Sequence, residues 1–144
     1  MAFDPVLILY QIISLQCFHY LAMGTLLGIC HTVFDLNVSL DHFFTGRHVN
    51  FVTAVGWTES IVTVGAGIAG AYLLSIIVEK SKKCVDFTFT LYFLHIIICC
   101  FYYQFPLEWE WWLVHVLASV VMASLGEYIC SRNELEDIPL YQIS

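Results

Sequence analysis

Residues 60–78 read SIVTVGAGIAGAYLLSIIV, a run of nineteen residues that holds no Asp, Glu, Lys or Arg. An α-helix rises about 1.5 Å per residue, so roughly 20 apolar residues cross the ~30 Å hydrocarbon core of a bilayer. The run therefore has the length and composition of one transmembrane helix.

Three more runs without charged residues lie at 6–34, 87–107 and 111–126. All seventeen charged residues of the 144-residue chain fall outside the four runs, and the mean hydropathy is +0.80. The sequence predicts an all-α polytopic membrane protein, with four transmembrane helices in an antiparallel bundle. We expect one membrane domain over residues 1–144, with a span at each run. The spans are expected at about 6–34, 56–78, 87–106 and 110–128.

The composition excludes several classes of function. The net charge is −7 and the chain has only five Lys and Arg residues, so no basic surface for nucleic acid can form. The sequence contains no HExxH, no Gly-rich phosphate loop and no nucleophile motif of the hydrolases. We therefore predict a protein that is not an enzyme and that holds no cofactor and no metal.

The positive charges predict the orientation. The side that holds both termini carries four of the five basic residues, and positively charged residues stay on the cytoplasmic side. These four are Lys80, Lys82, Lys83 and Arg132, and the other side has Arg47. We expect both termini in the cytosol, with residues 129–144 as a short acidic cytosolic tail.

Small residues in the first two spans predict close helix packing. Gly24 and Gly28 form a GxxxG pattern in the first span, and Gly67 and Gly70 belong to the glycine-rich stretch of the second. Helix faces formed by small residues let two helix backbones approach closely in lipid. We expect these glycines to pack the first span against the second, and the same faces are the candidates for contact in a homo-oligomer.

The long loop and the span ends carry further polar residues. The loop at 35–54 contains SLDHFF at 39–44, a mixture that suits a short segment at the membrane interface. Glu59 is expected in the first turn of the second helix, where the helix dipole favours a carboxylate. Asp86 and Glu127 are expected to pair with the lysines at 82–83.

Cys84 and Cys130 flank the cytosolic ends of two spans. S-palmitoylation there and burial as small thiols both remain open, and we favour burial.

Five polar residues inside the spans are the candidates for chemistry in the membrane. They are Gln11, Gln16, His19, His95 and His115. Counted from the predicted cytosolic ends, His19 and His115 lie at a similar depth and His95 is shallower. One hypothesis is a small transporter or redox carrier that uses the three histidines. The other, which we favour, is hydrogen bonding between helices among Gln16, His19 and His115.

An ordered series of short motifs resembles the Sys-one family of Golgi integral membrane proteins. The segments are KCVDFT (83–88), FLH (93–95), FP (105–106), WWLV (111–114), GEYIC (126–130) and ELEDIPL (134–140). Asp4-Pro5, Gln11-Ile12 and SLD at 39–41 fit the same pattern. The likeness covers nearly the whole chain and is weakest at 45–58.

The resemblance implies a function that the composition does not. Members of this family are multi-pass proteins of the trans-Golgi network. They act as receptors that recruit an Arf-related small GTPase with an acetylated N-terminus, and this in turn brings an Arf-like GTPase and golgin tethers. The resemblance thus implies a role in protein targeting to the Golgi and in endosome–Golgi and post-Golgi vesicle transport. The cytosolic acidic residues are our candidates for contact with the GTPase: Asp86, Glu127, Glu134, Glu136 and Asp137.

Overall fold

The computed structural model of the protein describes residues 4–37, 39–47 and 49–137. Its α-helices, in chain order, are α1 (Pro5–Phe34), α2 (Asp41–Phe44), α3 (Ala54–Ile77), α4 (Cys84–Tyr102) and α5 (Trp109–Glu136). A 3₁₀ turn at Ser81–Lys83 leads directly into α4, and the described ranges contain no strand. The four long helices are long and apolar enough to cross a membrane. This confirms the predicted all-helical fold with four candidate spans.

Local sequence explains where the first two long helices begin. The side chain of Asp4 accepts hydrogen bonds from the backbone N–H groups of Val6 and Leu7, and Pro5 takes the first helical position, where no N–H is needed. Thr53 caps α3 in the same way, because its hydroxyl accepts from the N–H of Gly56 at 3.1 Å. α3 therefore starts at Ala54, two residues before the predicted position.

The distribution of side chains is that of a protein in lipid. Large apolar side chains such as Phe89, Phe101 and Ile76 point outward. The interior, in contrast, holds three histidines together with hydroxyl side chains and one carboxylate. In a bilayer the apolar exterior contacts acyl chains, and polar groups find partners only between the helices.

The tightest contact in the bundle joins α3 and α5. A Cβ atom added at Gly67 would lie 2.8 Å from the carbonyl oxygen of Ala118, and one at Gly70 would lie 2.8 Å from the sulfur of Met122. A Cβ atom at Gly126 would lie equally close to the side chain of Leu74. Residue numbers rise together along the two helices, so α3 and α5 run in the same direction.

The glycines of the first helix do not take the predicted role. Gly24 faces the ring of Phe43, with 3.6 Å to an added Cβ atom, and Gly28 has no neighbour within 4 Å. Gly67 and Gly70 contact α5 and not α1. The prediction failed because small residues mark a close approach but do not identify the partner. α1 packs on α3, where a Cβ atom added at Gly65 would lie 3.3 Å from the side chain of Leu26, and Gln11 Nε2 donates to the carbonyl of Ile77 at 2.9 Å.

Helix α5, the fourth of the long helices, extends further than predicted. It continues to Glu136, so residues 129–136 of the predicted tail are helical, and residues 138–144 lie outside the described residues. Two contacts account for the extension. Cys130 is buried against Cys84, and the carboxylate of Glu134 accepts from both the backbone N–H and the hydroxyl of Ser81.

We call the end of the bundle that holds Asp4, the 79–83 turn and Asp137 the terminal end. The opposite end, which holds residues 35–37, 39–47, 49–53 and 103–108, is the loop end.

Candidate functional site

Three regions of the structure hold most of the polar residues singled out from the sequence. They are a histidine cluster inside the bundle, an ion pair at the loop end, and two grooves at the terminal end.

The histidine cluster consists of His19, His95 and His115, one from each of α1, α4 and α5, and all three are buried. The rings of His95 and His115 stack with centroids 5.2 Å apart and planes 13° from parallel. His19 reaches the cluster through Tyr92, whose ring meets that of His19 at 5.7 Å and that of His115 at 6.3 Å, edge to face. The structure thus brings together the three histidines that the sequence singled out.

The hydrogen bonds of the cluster differ from the predicted set. The hydroxyl of Tyr20 lies 2.7 Å from Nδ1 of His95, and Nδ1 of His115 donates to the carbonyl of Trp111 at 2.8 Å in its own helix. No hydrogen bond joins Gln16, His19 and His115, all of which are described. Aromatic stacking and a tyrosine take the place of the predicted His–Gln bonds.

The predicted depth of His95 was wrong. Because His95 stacks on His115, the two lie at the same level of the bundle. α4 begins at Cys84, three residues before the predicted start at 87, which moves His95 about 4.5 Å further from the terminal end. The stacked rings present their faces to each other and do not direct their nitrogens at a common point. Among the described residues no group of three His, Cys, Asp or Glu side chains is placed to hold a metal.

An ion pair at the loop end was missed by the sequence analysis. His42 Nε2 lies 3.4 Å from Glu59 Oε1, and the Glu59 side chain is only 3% exposed. Neither carboxylate oxygen has a hydrogen-bond partner. Because α3 starts at Ala54, Glu59 lies in the second turn and is buried, not in the first turn at the headgroups as predicted. The only signal in the sequence was a carboxylate at the very edge of a charge-free run.

The loop that carries α2 packs into the bundle through aromatic and apolar side chains. Phe44 packs against Tyr20 and Tyr102, with ring centroids 5.4 and 5.2 Å apart, and Thr45, Gly46 and Val49 are buried behind it. The hydroxyl of Tyr102 donates to Asp41 at 3.0 Å. The loop therefore closes the loop end of the bundle, whereas we predicted a segment lying at the membrane interface.

Two grooves open at the terminal end. The first, which we call the α1–α4 groove, has a volume of about 280 Å³ and a mainly apolar lining that includes Ile8, Ile12 and Phe87. Lys83 and Asp86 lie at its rim. The second, which we call the acidic groove, has a volume of about 390 Å³ and a polar lining. It is formed by Ser75, Glu79, Lys80, Asn133, Glu134, Glu136 and Asp137.

The candidate contact residues divide between these grooves. Asp86 borders the α1–α4 groove, whereas Glu134, Glu136 and Asp137 line the acidic groove. Glu127 is exposed on α5 and lines neither groove. The predicted pairing of the lysines at 82–83 with Asp86 or Glu127 is not formed, since the one ion pair found within the described ranges is that of His42 and Glu59.

Four apolar helices with inward-facing polar groups define a multi-pass helical membrane protein. The sequence profile of the SYS1 family, described as "Integral membrane protein S linking to the trans Golgi network", matches residues 1–140. The chain belongs to this family, which confirms the resemblance to Sys-one proteins. It is accordingly an integral membrane protein of a family linked to the trans-Golgi network, and the family description names no reaction.

Curated relatives agree with this assignment. The chain is similar to "Protein SYS1 homolog" of Nematostella vectensis, with 36% identity over 135 residues, which cover 94% of this chain and 86% of that protein. A homolog of the same name from Dictyostelium discoideum is 37% identical over 139 residues, or 96% of this chain and 60% of that protein. "Protein SYS1" of Saccharomyces cerevisiae is 28% identical over 131 residues, or 88% and 63%. No solved structure matches the chain.

Proposed function

We propose that this protein is a receptor in the trans-Golgi membrane that recruits an Arf-related small GTPase with an acetylated N-terminus. Membership of the SYS1 family carries the proposal, because that family is linked to the trans-Golgi network. In this proposal the GTPase then brings an Arf-like GTPase and golgin tethers, in support of endosome–Golgi and post-Golgi transport.

The proposal includes an orientation. The four spans cross the membrane in alternating directions, and both termini face the cytosol, because Lys80, Lys82, Lys83 and Arg132 all belong to the terminal end. The α1–α4 groove and the acidic groove then open toward the cytosolic surface. Protease protection of tags at the two termini in sealed Golgi membranes tests this, and protected tags would refute it.

The α1–α4 groove is the feature best suited to an acetylated N-terminus. Acetylation removes the terminal charge, so a short apolar peptide can enter between Ile8, Ile12 and Phe87. One weak anchor gives only marginal membrane binding, and a protein receptor supplies the second interaction that stable docking requires. Asp86 and Lys83 at the rim then meet polar groups that follow the apolar segment.

The acidic groove offers a second contact. Its carboxylates, from Glu79, Glu134, Glu136 and Asp137, lie next to a single lysine, Lys80. A surface with this excess of negative charge attracts a basic patch on a partner and raises the rate of encounter. In this arrangement the apolar groove anchors the GTPase and the acidic groove orients it.

Two neighbouring isoleucines provide the test. Ile12 lines the α1–α4 groove, whereas Ile13 points outward on the same helix. Ile12→Trp fills the groove and is expected to release the GTPase from Golgi membranes, whereas Ile13→Trp is expected to leave it bound. The measurement is the membrane-bound fraction of the GTPase in knockout cells that express each variant at equal level. Normal Golgi staining of the GTPase in the knockout itself would refute the receptor function, and normal recruitment by Ile12→Trp alone would refute only the groove.

A further inference from the structure

The turn between α3 and α4 is joined to the end of α5 through one serine. The hydroxyl of Ser81 donates to Glu134 Oε2 at 2.8 Å, and the Ser81 backbone N–H donates to Glu134 Oε1 at 3.2 Å. Both oxygens of the carboxylate therefore bind the same residue. Together with the contact of Cys130 and Cys84, these bonds hold the last turns of α5 against the 79–83 turn.

The sequence around Ser81 is basic. Residues 80–83 read KSKK, so lysines occupy the position before the serine and the two positions after it. No other Ser or Thr of the chain has more than one Lys or Arg within two positions. The side chains of Lys80, Lys82 and Lys83 are all exposed. A protein kinase that selects basic residues beside its target serine can bind them through its own carboxylates, since complementary charges favour the encounter.

Ser81 lies where a kinase can reach it. It belongs to the connection between α3 and α4, outside both long helices, and its side chain is only half-buried. The segment Ser81–Lys83 is a single 3₁₀ turn, whose hydrogen bonds have poorer geometry than those of an α-helix, so it can open locally. α4 alone spans about 28 Å from Cys84 to Tyr102, close to the thickness of the hydrocarbon core. Ser81 therefore lies at the membrane surface.

We propose that Ser81 is a phosphorylation site, and that its phosphorylation detaches the end of α5 from the 79–83 turn. The kinase transfers the γ-phosphoryl group of ATP to Ser81 Oγ. A bond from Oγ to phosphorus forms, the bond from phosphorus to the bridging oxygen of ADP breaks, and the hydroxyl proton is released. The inference rests on one part of the proposed function, the orientation that places the terminal end in the cytosol with its ATP.

Charge determines the direction of this switch. A phosphoserine carries about −1.5 to −2 charges at pH 7, and its Oγ has no proton left to donate. Glu134 then faces a like charge in place of a hydrogen-bond donor. The exposed side chains of Lys80 and Lys82 lie on the same turn as the phosphate and attract it away from α5. Repulsion by Glu134 and attraction by the lysines therefore act in the same direction.

Detachment changes the acidic groove. The last residues of α5 line this groove together with Glu79 and Lys80 of the turn. When Ser81 no longer holds Glu134, the two elements separate and the groove loses its shape. Phosphorylation thus removes the second of the two proposed GTPase contacts and leaves the α1–α4 groove in place.

The first experiment tests the modification. The full-length protein in lipid nanodiscs is incubated with Mg-ATP and the catalytic domain of protein kinase C, and chymotryptic peptides are analysed by mass spectrometry. We expect phosphate on Ser81, no phosphate at this position after Ser81→Ala, and the same phosphopeptide in protein isolated from cells with phosphatase inhibitors. Absence of that phosphopeptide from either sample would overturn the modification. Because nanodiscs expose both ends of the bundle, a failure there counts against the site and not against the proposed orientation.

The second experiment tests the detachment, by hydrogen–deuterium exchange of the backbone amides at 131–136. Ser81→Asp supplies a negative charge without a kinase and is expected to speed this exchange about tenfold or more, which corresponds to about 1.4 kcal/mol. In the double variant Ser81→Asp with Glu134→Lys, opposite charges face each other and exchange is expected to slow again.

The matched control is Ser81→Asp with Glu136→Lys, which makes the same change of charge on a residue that does not contact Ser81. Exchange in this control is expected to stay fast. Unchanged exchange in Ser81→Asp would overturn the switch, and so would equal exchange in the two double variants.

Discussion

The hydroxyl of Tyr20 lies 2.7 Å from Nδ1 of His95, and this bond joins α1 to α4 in the middle of the bundle. The other face of the cluster is closed by the stack of His95 on His115, which joins α4 to α5. His95 is thus the residue through which three of the four long helices meet. The histidines hold helices together, and their arrangement gives no support to the alternative of a transporter or redox carrier.

Removing the Tyr20 hydroxyl should loosen the bundle. Tyr20→Phe leaves Nδ1 of the buried His95 without its partner, and we expect the free energy of unfolding to fall by about 1 kcal/mol. Tyr10→Phe is the matched control, because Tyr10 points outward on the same helix. Unfolding by sodium dodecyl sulfate in mixed micelles measures both. Equal stability of the two variants would mean that the Tyr20–His95 bond contributes nothing.

The α3–α5 contact predicts that alanine substitutions at two glycines change the free energy of unfolding in opposite directions. Gly67→Ala places a methyl group 2.8 Å from a backbone carbonyl oxygen that cannot move aside, so the helices must separate. We expect a loss of about 1–3 kcal/mol in the free energy of unfolding. Gly28→Ala meets nothing and should stabilise α1 by up to about 1 kcal/mol through helix propensity. The same detergent unfolding assay gives both values, and a tolerated Gly67→Ala would contradict the close approach.

The pair of His42 and Glu59 predicts that the 39–49 loop can be released by one substitution. Glu59→Gln keeps the shape of the side chain and replaces the carboxyl group that faces His42 with an amide. Trypsin cleavage at the exposed Arg47 should then become roughly tenfold faster, as expected when local opening becomes easier by about 1.4 kcal/mol. Glu110→Gln, a substitution of the same kind away from the pair, serves as control. Unchanged cleavage in Glu59→Gln would show that the loop is held by its apolar contacts alone.

Cys84 and Cys130 should not carry palmitate. Both side chains are fully buried, and their sulfur atoms lie 3.5 Å apart. Neither thiol can reach an acyltransferase or a maleimide without separation of α4 from α5. We expect slow maleimide labelling of Cys84 and Cys130 in the folded protein relative to the same protein unfolded in sodium dodecyl sulfate, and no palmitoyl group in peptides that contain either residue. Detection of such a peptide by mass spectrometry would contradict the burial.

The sequence predicted the features that depend on composition along a single helix. The four charge-free runs correctly predicted four long apolar helices, and Asp4-Pro5 correctly predicted the start of α1. The partners of each helix could not be predicted in the same way. Gly24 and Gly67 have the same type of face, yet one meets a loop phenylalanine and the other a backbone carbonyl.

Residues at the edges of the runs were the hardest to place. Glu59 and Glu134 both lie where a polar side chain can face either headgroups or protein, and helical periodicity does not decide between them. The structure buries Glu59 against His42 and uses Glu134 to hold Ser81. Each outcome depends on a residue more than fifteen positions away in the chain. The contacts of Glu59 with His42 and of Glu134 with Ser81 therefore emerged only from the folded structure.

The same-direction contact of α3 with α5 has a consequence for biogenesis. The chain enters the membrane from its N-terminus, so α3 is already inserted while α5 is still being made. Until α5 is inserted, the glycine face of α3, which includes Gly67 and Gly70, has no partner helix at this position and contacts lipid. The bundle can complete the α3–α5 interface only after α5 has been inserted, and a chain truncated before α5 would leave the glycine face of α3 in contact with lipid.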